Sequence, residues 1–294
     1  MFGELIALLT AFLWSGTSIA FTEASRRIGS LQLNITRMML ASVILFFIIA
    51  IAGFSFDISK TQLYFLIASG FAGLVFGDSF LFKSFQTIGA RLGMLLMALV
   101  PAFSTILAYI FLNENLSSVA IAGIVITIAG IVIVILDRGS NSKSVFQFNK
   151  IGLLYGVFGA FGQASGLILA KSAFEMGEVN GFVAAFIRLV AAVIIIFPIV
   201  VLLKRFKNPF TIFKDDLTAL KATVAGTILG PVLGITSSLV AITYAKIGIA
   251  STLMSTTPII MLPIVRYYYK ETLSWRAIAG ALVAVIGIAI LLLV

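Results

Sequence analysis

The chain has 294 residues, 61% of them hydrophobic and only 11% charged, with a mean hydropathy of +1.18; a soluble domain carries roughly a quarter charged residues and would need them to cover a core of this size. A bilayer solvates such a surface directly, so the sequence reads as an all-α integral membrane protein with room for about ten spans of roughly 20 residues. The net charge of +9 is scattered singly through short loops, and Cys and His are absent, which excludes a nucleic-acid face, disulfides, zinc or iron–sulfur sites and histidine acid–base chemistry, and calls for no cofactor or metal.

Apolar runs predict helices over 3–22, 31–53, 62–86, 91–112 and 117–136. The first has Glu4 where a signal peptide carries basic residues, and its run resembles 151–170, so it reads as a helix and not a leader. A polar linker, 137–150, follows. Five more helices are expected over 151–172, 179–203, 218–245, 249–269 and 275–294, so the chain divides into a first unit, 3–136, and a second, 151–294.

The second unit repeats the first. Pro101, Glu114, Leu116, Ser117, Gly123 and Gly130 recur 157 residues later as Pro258, Glu271, Leu273, Ser274, Gly280 and Gly287, and Gly73 and Gly77 recur as Gly230 and Gly234. Ile35-Thr36-Arg37-Met38-Met39-Leu40-Ala41 also aligns with Phe186-Ile187-Arg188-Leu189-Val190-Ala191-Ala192. An odd number of spans per copy makes the second enter the membrane from the opposite face, so the two five-helix repeats are inverted, the plan of a transporter with its site where the halves meet. Loop Lys and Arg number thirteen on the side away from the termini, among them Arg26, Arg27, Lys143, Lys204 and Lys214, against Lys60, Lys171 and Lys246 on the other. That bias puts both termini outside the cytoplasm.

Charge at bilayer depth is costly and marks candidate sites. Arg37 lies about 9 Å into the second helix and Asp78 about 12 Å from the same face, within reach of one another, with Lys83 about a turn nearer that face and close enough to share the carboxylate. Two readings stay open: an ion pair that locks two helices, and a gate or proton-coupling carboxylate, for which Asp78 is the candidate as the one acid well inside a predicted helix. Arg37 and its repeat partner Arg188 either snorkel to headgroups or approach the midplane from opposite faces, as alternate gates or as substrate-binding groups that hand one anionic group between them. Pro101, Pro231 and Pro258 interrupt helices, and Ser255 and Thr256 bring hydroxyls to the last of these breaks. Trp14 corresponds roughly to Gln163 in the sixth helix, and a mid-helix Trp lines a cavity or packs on a neighbour. Small-xxx-small spacings at Gly73/Gly77, Gly152/Gly156, Gly162/Gly166 and Gly226/Gly230/Gly234 read as helix-packing surfaces.

Ile88-Gly89-Ala90, Leu99-Val100-Pro101, Asn113-Glu114-Asn115-Leu116-Ser117, Ala122-Gly123 and Ala129-Gly130, with their second copies around Thr257-Pro258, Lys270-Glu271-Thr272-Leu273-Ser274, Ala279-Gly280 and Ile286-Gly287, resemble the EamA domain of the drug/metabolite transporter superfamily, over nearly the whole chain. The resemblance implies a ten-helix inverted-repeat secondary carrier of small metabolites, amino acids or drugs in the cell (inner) membrane, as a monomer or homodimer. By analogy it makes Trp14, Gln163, Tyr244, Ser255 and Thr256 lining residues of a central cavity. Many family members keep their termini in the cytoplasm, which the loop charges here oppose. The rival class is an intramembrane transferase using Arg37 and Lys83 against a phosphate-bearing lipid or acyl donor; no P-loop, His-based triad or second buried Asp supports other enzymes.

Overall fold

The computed structural model describes residues 2–111, 117–137, 149–244, 253–270 and 273–292. Most of the 137–150 linker, Glu114, Leu116, Lys246 and Glu271 lie outside them. All regular structure among the described residues is helical, as lipid demands of a backbone that must satisfy its own hydrogen bonds. The helices are α1 (Phe2–Ile28), α2 (Ser30–Ala52), α3 (Lys60–Ser69), α4 (Asp78–Met97), α5 (Val100–Phe111), α6 (Ser118–Asp137), α7 (Lys150–Glu175), α8 (Gly181–Leu202), α9 (Pro209–Asp215), α10 (Leu217–Thr227), α11 (Ile235–Tyr244), α12 (Thr257–Tyr268) and α13 (Trp275–Leu292). Two π-helical segments join them: Gly70–Gly77 links α3 to α4, and Ile228–Gly234 links α10 to α11.

Each of the ten predicted spans carries helix among the described residues. Seven helices are long and apolar enough to cross a membrane by length and composition. Of the other three, the tenth, Trp275–Leu291, is only slightly too short, whereas the fourth and ninth fall short because each is broken. Ala98–Leu99 and Ser255–Thr256 are turns, and Pro101 and Pro258 sit second in the helices that restart after them. Proline at this position sacrifices no helical hydrogen bond of its own. Thr257 Oγ1 donates to Met254 O at 2.8 Å, occupying the carbonyl four residues before Pro258. Gly89, at φ 81°, separates the third span from the fourth, a conformation glycine adopts without strain. Starts are written in the sequence as well: Ser59 and Gln62 form a reciprocal capping box, and Asn149, Asn180, Asn208 and Asp216 each accept a first-turn N–H. The short α9, with its Phe210 86% exposed, is an element that hydropathy did not predict.

The inverted relation is visible where α6 crosses α13. A Cβ on Gly123 would stand 2.8 Å from Gly287 O, one on Gly287 2.8 Å from Gly123 O, and one on Gly280 2.8 Å from Gly130 O. Gly123 thus faces the repeat partner of Gly130, and Gly130 the partner of Gly123. Only antiparallel helices related by a two-fold axis exchange partners this way, and the axis runs beside Thr127, whose Oγ1 lies 3.5 Å from the carbonyl of Ala284, its own repeat partner. Backbones this close gain dispersion and weak polar contacts where lipid offers no hydrophobic drive.

Elsewhere the halves cross over. Helix α7 packs Gly162 on Gly77 and Gly166 on Gly73, while α1 sets Trp14 on Gly234, Thr17 on Gly230 and Phe21 on Gly226. The sixth helix therefore leans on the first π segment as the first helix leans on the second. Between α2 and α8 an apolar cluster of Ile35, Met38, Ala41, Leu45, Leu189, Ala192 and Ile196 seals the contact. One end of the bundle gathers Arg27 with Asp216 (3.1 Å), Gln32 with Lys207 and Gln86 with the Ser25 carbonyl. The opposite end gathers Phe2 with Tyr244, Phe54 with Phe182 and Gln62 with the Gly177 carbonyl. Outward side chains such as Ile51, Leu136 and Ile194 are exposed, as expected of a surface solvated by acyl chains.

Candidate functional site

Asp78 stands where the first π segment ends. A π turn widens the helix by one residue and recurs at functional positions; here it aims the carboxylate at the junction of α2 and α7. Arg37 Nη2 donates to Asp78 Oδ2 as a buried ion pair. Gln163 Nε2 donates to Asp78 Oδ1 at 2.5 Å and to the Gly73 carbonyl at 3.2 Å. The acid is therefore held by one side chain from each half.

Arg37 is itself fixed from three sides. Asn34 Oδ1 accepts from its Nε and Nη2 at 3.2 and 3.0 Å, and the Phe82 ring centre lies 4.8 Å from Cζ, with Phe21 at 5.7 Å. Asn34 spends its amide on the Leu74 carbonyl, inside the π segment, and on Ser79 Oγ. This asparagine, absent from the sequence-derived candidates, ties the guanidinium to the helix that bears the acid. Its signal was there: a polar residue three positions before Arg37 shares its helix face.

Arg188 approaches from α8. Its Nη2 would lie 3.2 Å from a Cβ on Gly73, beside Gln163, and its charge acts on Asp78. Arg188 Nε is buried with no hydrogen-bond partner among the described residues. Two cations and one acid therefore share the junction.

Other sequence candidates fall differently. Lys83 gives its ammonium to Gln86 Oε1 at 2.9 Å, not to Asp78; five residues on, the helix has turned about 140° past the face of the acid. Trp14 packs its indole on Gly234, the repeat partner of Gly77. Pro231 lies inside the second π segment, so the chain widens there. Thr256 returns its hydroxyl to Leu253 O at 2.6 Å, Ser255 occupies the turn before α12, and Ser15 Oγ reaches the next carbonyl, Thr257 O, at 3.5 Å. Tyr244 is 66% exposed at the far end of α11, edge-on to Phe2, so the structure does not bring it to Asp78. Among the described residues no group of three His, Cys, Asp or Glu gathers as a metal site would.

The model of the EamA-like transporter family matches residues 1–136 and again 150–293. An uncharacterized transporter of Archaeoglobus fulgidus is 23% identical over 294 residues, spanning 98% of this chain and 97% of its own. The uncharacterized transporter YxxF of Bacillus subtilis (strain 168) is 26% identical over 185 residues, 62% of this chain and 58% of that one. A solved crystal structure shares the fold, with a TM-score of 0.68 over 98% of this chain and 95% of its own at 18% identity. A twice-matched family model, laid over a helical bundle with antiparallel repeats, settles the kinship: the chain belongs to the EamA-like transporter family of the drug/metabolite transporter superfamily and is a multi-pass membrane transporter.

Proposed function

We propose that the protein is a secondary active carrier of a small metabolite, an amino acid or related carboxylate-bearing solute or drug, working by alternating access between its two repeats, 3–136 and 151–294. The supporting observation is the Asp78 cluster. One buried acid is held at the same time by Arg37 from the first repeat and Gln163 from the second. A proton on Asp78 dissolves the ion pair and weakens both attachments, so protonation and parting of α2 from α7 are coupled by the same bonds. Asp78 is the coupling and gating group; Lys83 tethers Gln86 beside the gate. The paired breaks at Pro101 and Pro258 and the two π segments supply bending points on both sides of the two-fold axis. Trp14 from the first repeat and Ser255 and Thr256 from the second line the path. The loop charges orient both termini outside the cytoplasm in the cell membrane.

The experiment is counterflow in proteoliposomes. Purified protein preloaded with unlabelled amino acids, in separate pools of acidic, basic and neutral side chains, takes up a labelled member of the right pool transiently above equilibrium, and the solute is recovered unchanged. Recovery of a modified product supports the transferase, and flux that never saturates supports a channel; either outcome defeats the carrier.

A further inference from the structure

Each repeat carries an arginine at the same place in its second helix, Arg37 and Arg188, yet the two have one acid between them: Asp78 is bonded to Arg37 and acts on Arg188 only through space. Asp78 is the first residue after the π segment Gly70–Gly77. The matching residue after the π segment Ile228–Gly234 is Ile235, which packs against the same apolar cluster as Leu189 and Ala192 on the Arg188 helix. The pseudo-symmetric position of a carboxylate is thus filled by a hydrocarbon.

A buried guanidinium that must share its counterion with another cation is unfavourable, and a second anion brought to it relieves that cost. Asp78 is already committed, Oδ2 to Arg37 and Oδ1 to Gln163. Arg188 Nε is buried and unbonded among the described residues. At Gly73 the helix has no side chain, and a Cβ there would press on Arg188 Nη2 at 3.2 Å. Glycine at this point makes room for the guanidinium fork beside Gln163.

We infer that Arg188 is the docking point for the anionic group of the transported solute, a compact oxyanion that takes the place of the carboxylate missing at 235. The inference rests on the carrier reading and names the chemistry of its cargo. A planar fork of N–H donors suits a carboxylate or a phosphate, both of which it grips through two parallel bonds. The bound anion makes the junction neutral, two cations against two anions, so the loaded state is the one that crosses the bilayer at least electrostatic cost. A neutral or cationic analogue leaves Arg188 uncompensated.

The test is binding in detergent, independent of transport. Full-length protein is titrated with benzoate, acetate and inorganic phosphate, and with benzamide and acetamide as neutral counterparts, at constant ionic strength, reading thermal stability and the fluorescence of Trp14, which sits one residue from Ile235 at Gly234. Benzoate or phosphate stabilises the wild type while the amides do not, and the better of the two names the group. Arg188→Gln weakens the response on the order of tenfold or more, as loss of a charged bond pair implies, and Arg188→Lys falls between. Ile235→Asp, which gives Arg188 an internal counterion, folds at least as stably as the wild type and no longer responds. An unchanged response in Arg188→Gln, or in Ile235→Asp, overturns the inference, as does equal stabilisation by benzoate and benzamide. Counterflow that ignores Arg188 sinks this site and leaves the carrier standing; anion binding through Arg188 without counterflow does the reverse.

Discussion

Replacing Asp78 by Asn removes one charge from a pair held out of water, the two side chains being 6% and 8% exposed. Removing one partner of a buried pair costs ~3–5 kcal/mol, because the survivor is left uncompensated. The amide oxygen of Asn still accepts from Gln163, and Arg37 keeps its two bonds to Asn34 and the face of Phe82. The cost therefore falls at the low end, about 3 kcal/mol. Arg37→Met costs as much or slightly more, since Asp78 then has Gln163 and the more distant charge of Arg188. Arg37→Met combined with Asp78→Leu replaces both charges by apolar groups of similar bulk, a change that is often neutral. The double variant should sit well above the sum of the singles, with a coupling of at least ~2 kcal/mol. Reversible unfolding in mixed micelles measures the double variant beside its own two singles, Arg37→Met and Asp78→Leu, and additivity within ~0.5 kcal/mol would refute the pair as the element that joins the helices. In proteoliposomes under an imposed pH gradient, Asp78→Asn should exchange solute but fail to concentrate it. Undiminished proton-driven accumulation by that variant would remove Asp78 from the coupling role.

Deleting Ala72 takes the extra residue out of the first π segment and closes the wide turn into ordinary helix; the Gly73 and Leu74 carbonyls that accept from Gln163 and Asn34 are then drawn into the i→i+4 ladder, the Asp78 cluster loses its geometry, and transport is lost while the chain still inserts. Transport by the deletion variant would show that the wide turn is dispensable. Gly130→Ala places a Cβ 2.6 Å from the Gly280 carbonyl and forces α6 from α13 at a cost of ~1–3 kcal/mol, whereas at Gly16 a Cβ meets only the end of Leu229 at 3.4 Å and should change stability by less than ~0.5 kcal/mol. Thermal unfolding of the two variants decides it, and equal effects count against the two-fold contact. At the loop end of the bundle, the N–H of Ala219 and then the Arg27 guanidinium hold the Asp216 carboxyl below the ordinary carboxylate range. A lowered folded value means stability that is complete above the unfolded value near 3.8 and lost as pH falls through the folded one. Asp216→Asn should flatten the acid side of the melting curve, and an unaltered pH profile would deny the cap that role.

The spans were legible because lipid imposes a single demand, long apolar runs, and the runs are there. Counting residues along two helices also sufficed to bring Arg37 and Asp78 to a common depth. Depth is linear in sequence, whereas rotational phase is not. Depth alone puts Lys83 with Asp78, yet five residues carry it around the helix and onto Gln86. Gln163 was named for a cavity by analogy with Trp14, but its bond to Asp78 depends on α7 packing against the first π segment. The π turns leave no residue signature beyond their glycines and Pro231, since one extra backbone residue is invisible to hydropathy. Tyr244, a cavity candidate by analogy, stands apart from the Asp78 cluster, at the end of α11 beside Phe2.

Duplication explains the frame, and departures from duplication locate the chemistry. Gly123, Gly130, Gly280 and Gly287 are equivalent pairs because a two-fold axis requires the same closeness on both sides. Pro101 and Pro258 restart equivalent helices for the same reason. A structural ion pair serving only to brace the repeats would be expected twice as well. Instead Asp78 corresponds in sequence to Ile235, and Phe82, which carries the Arg37 guanidinium, corresponds to Leu239. The flanking glycines do recur, Gly73 and Gly77 as Gly230 and Gly234, so the asymmetry is confined to the residues beside them. A difference between the halves placed at the buried Asp78 cluster is what a carrier needs if one half is to hold the ion and the other the cargo.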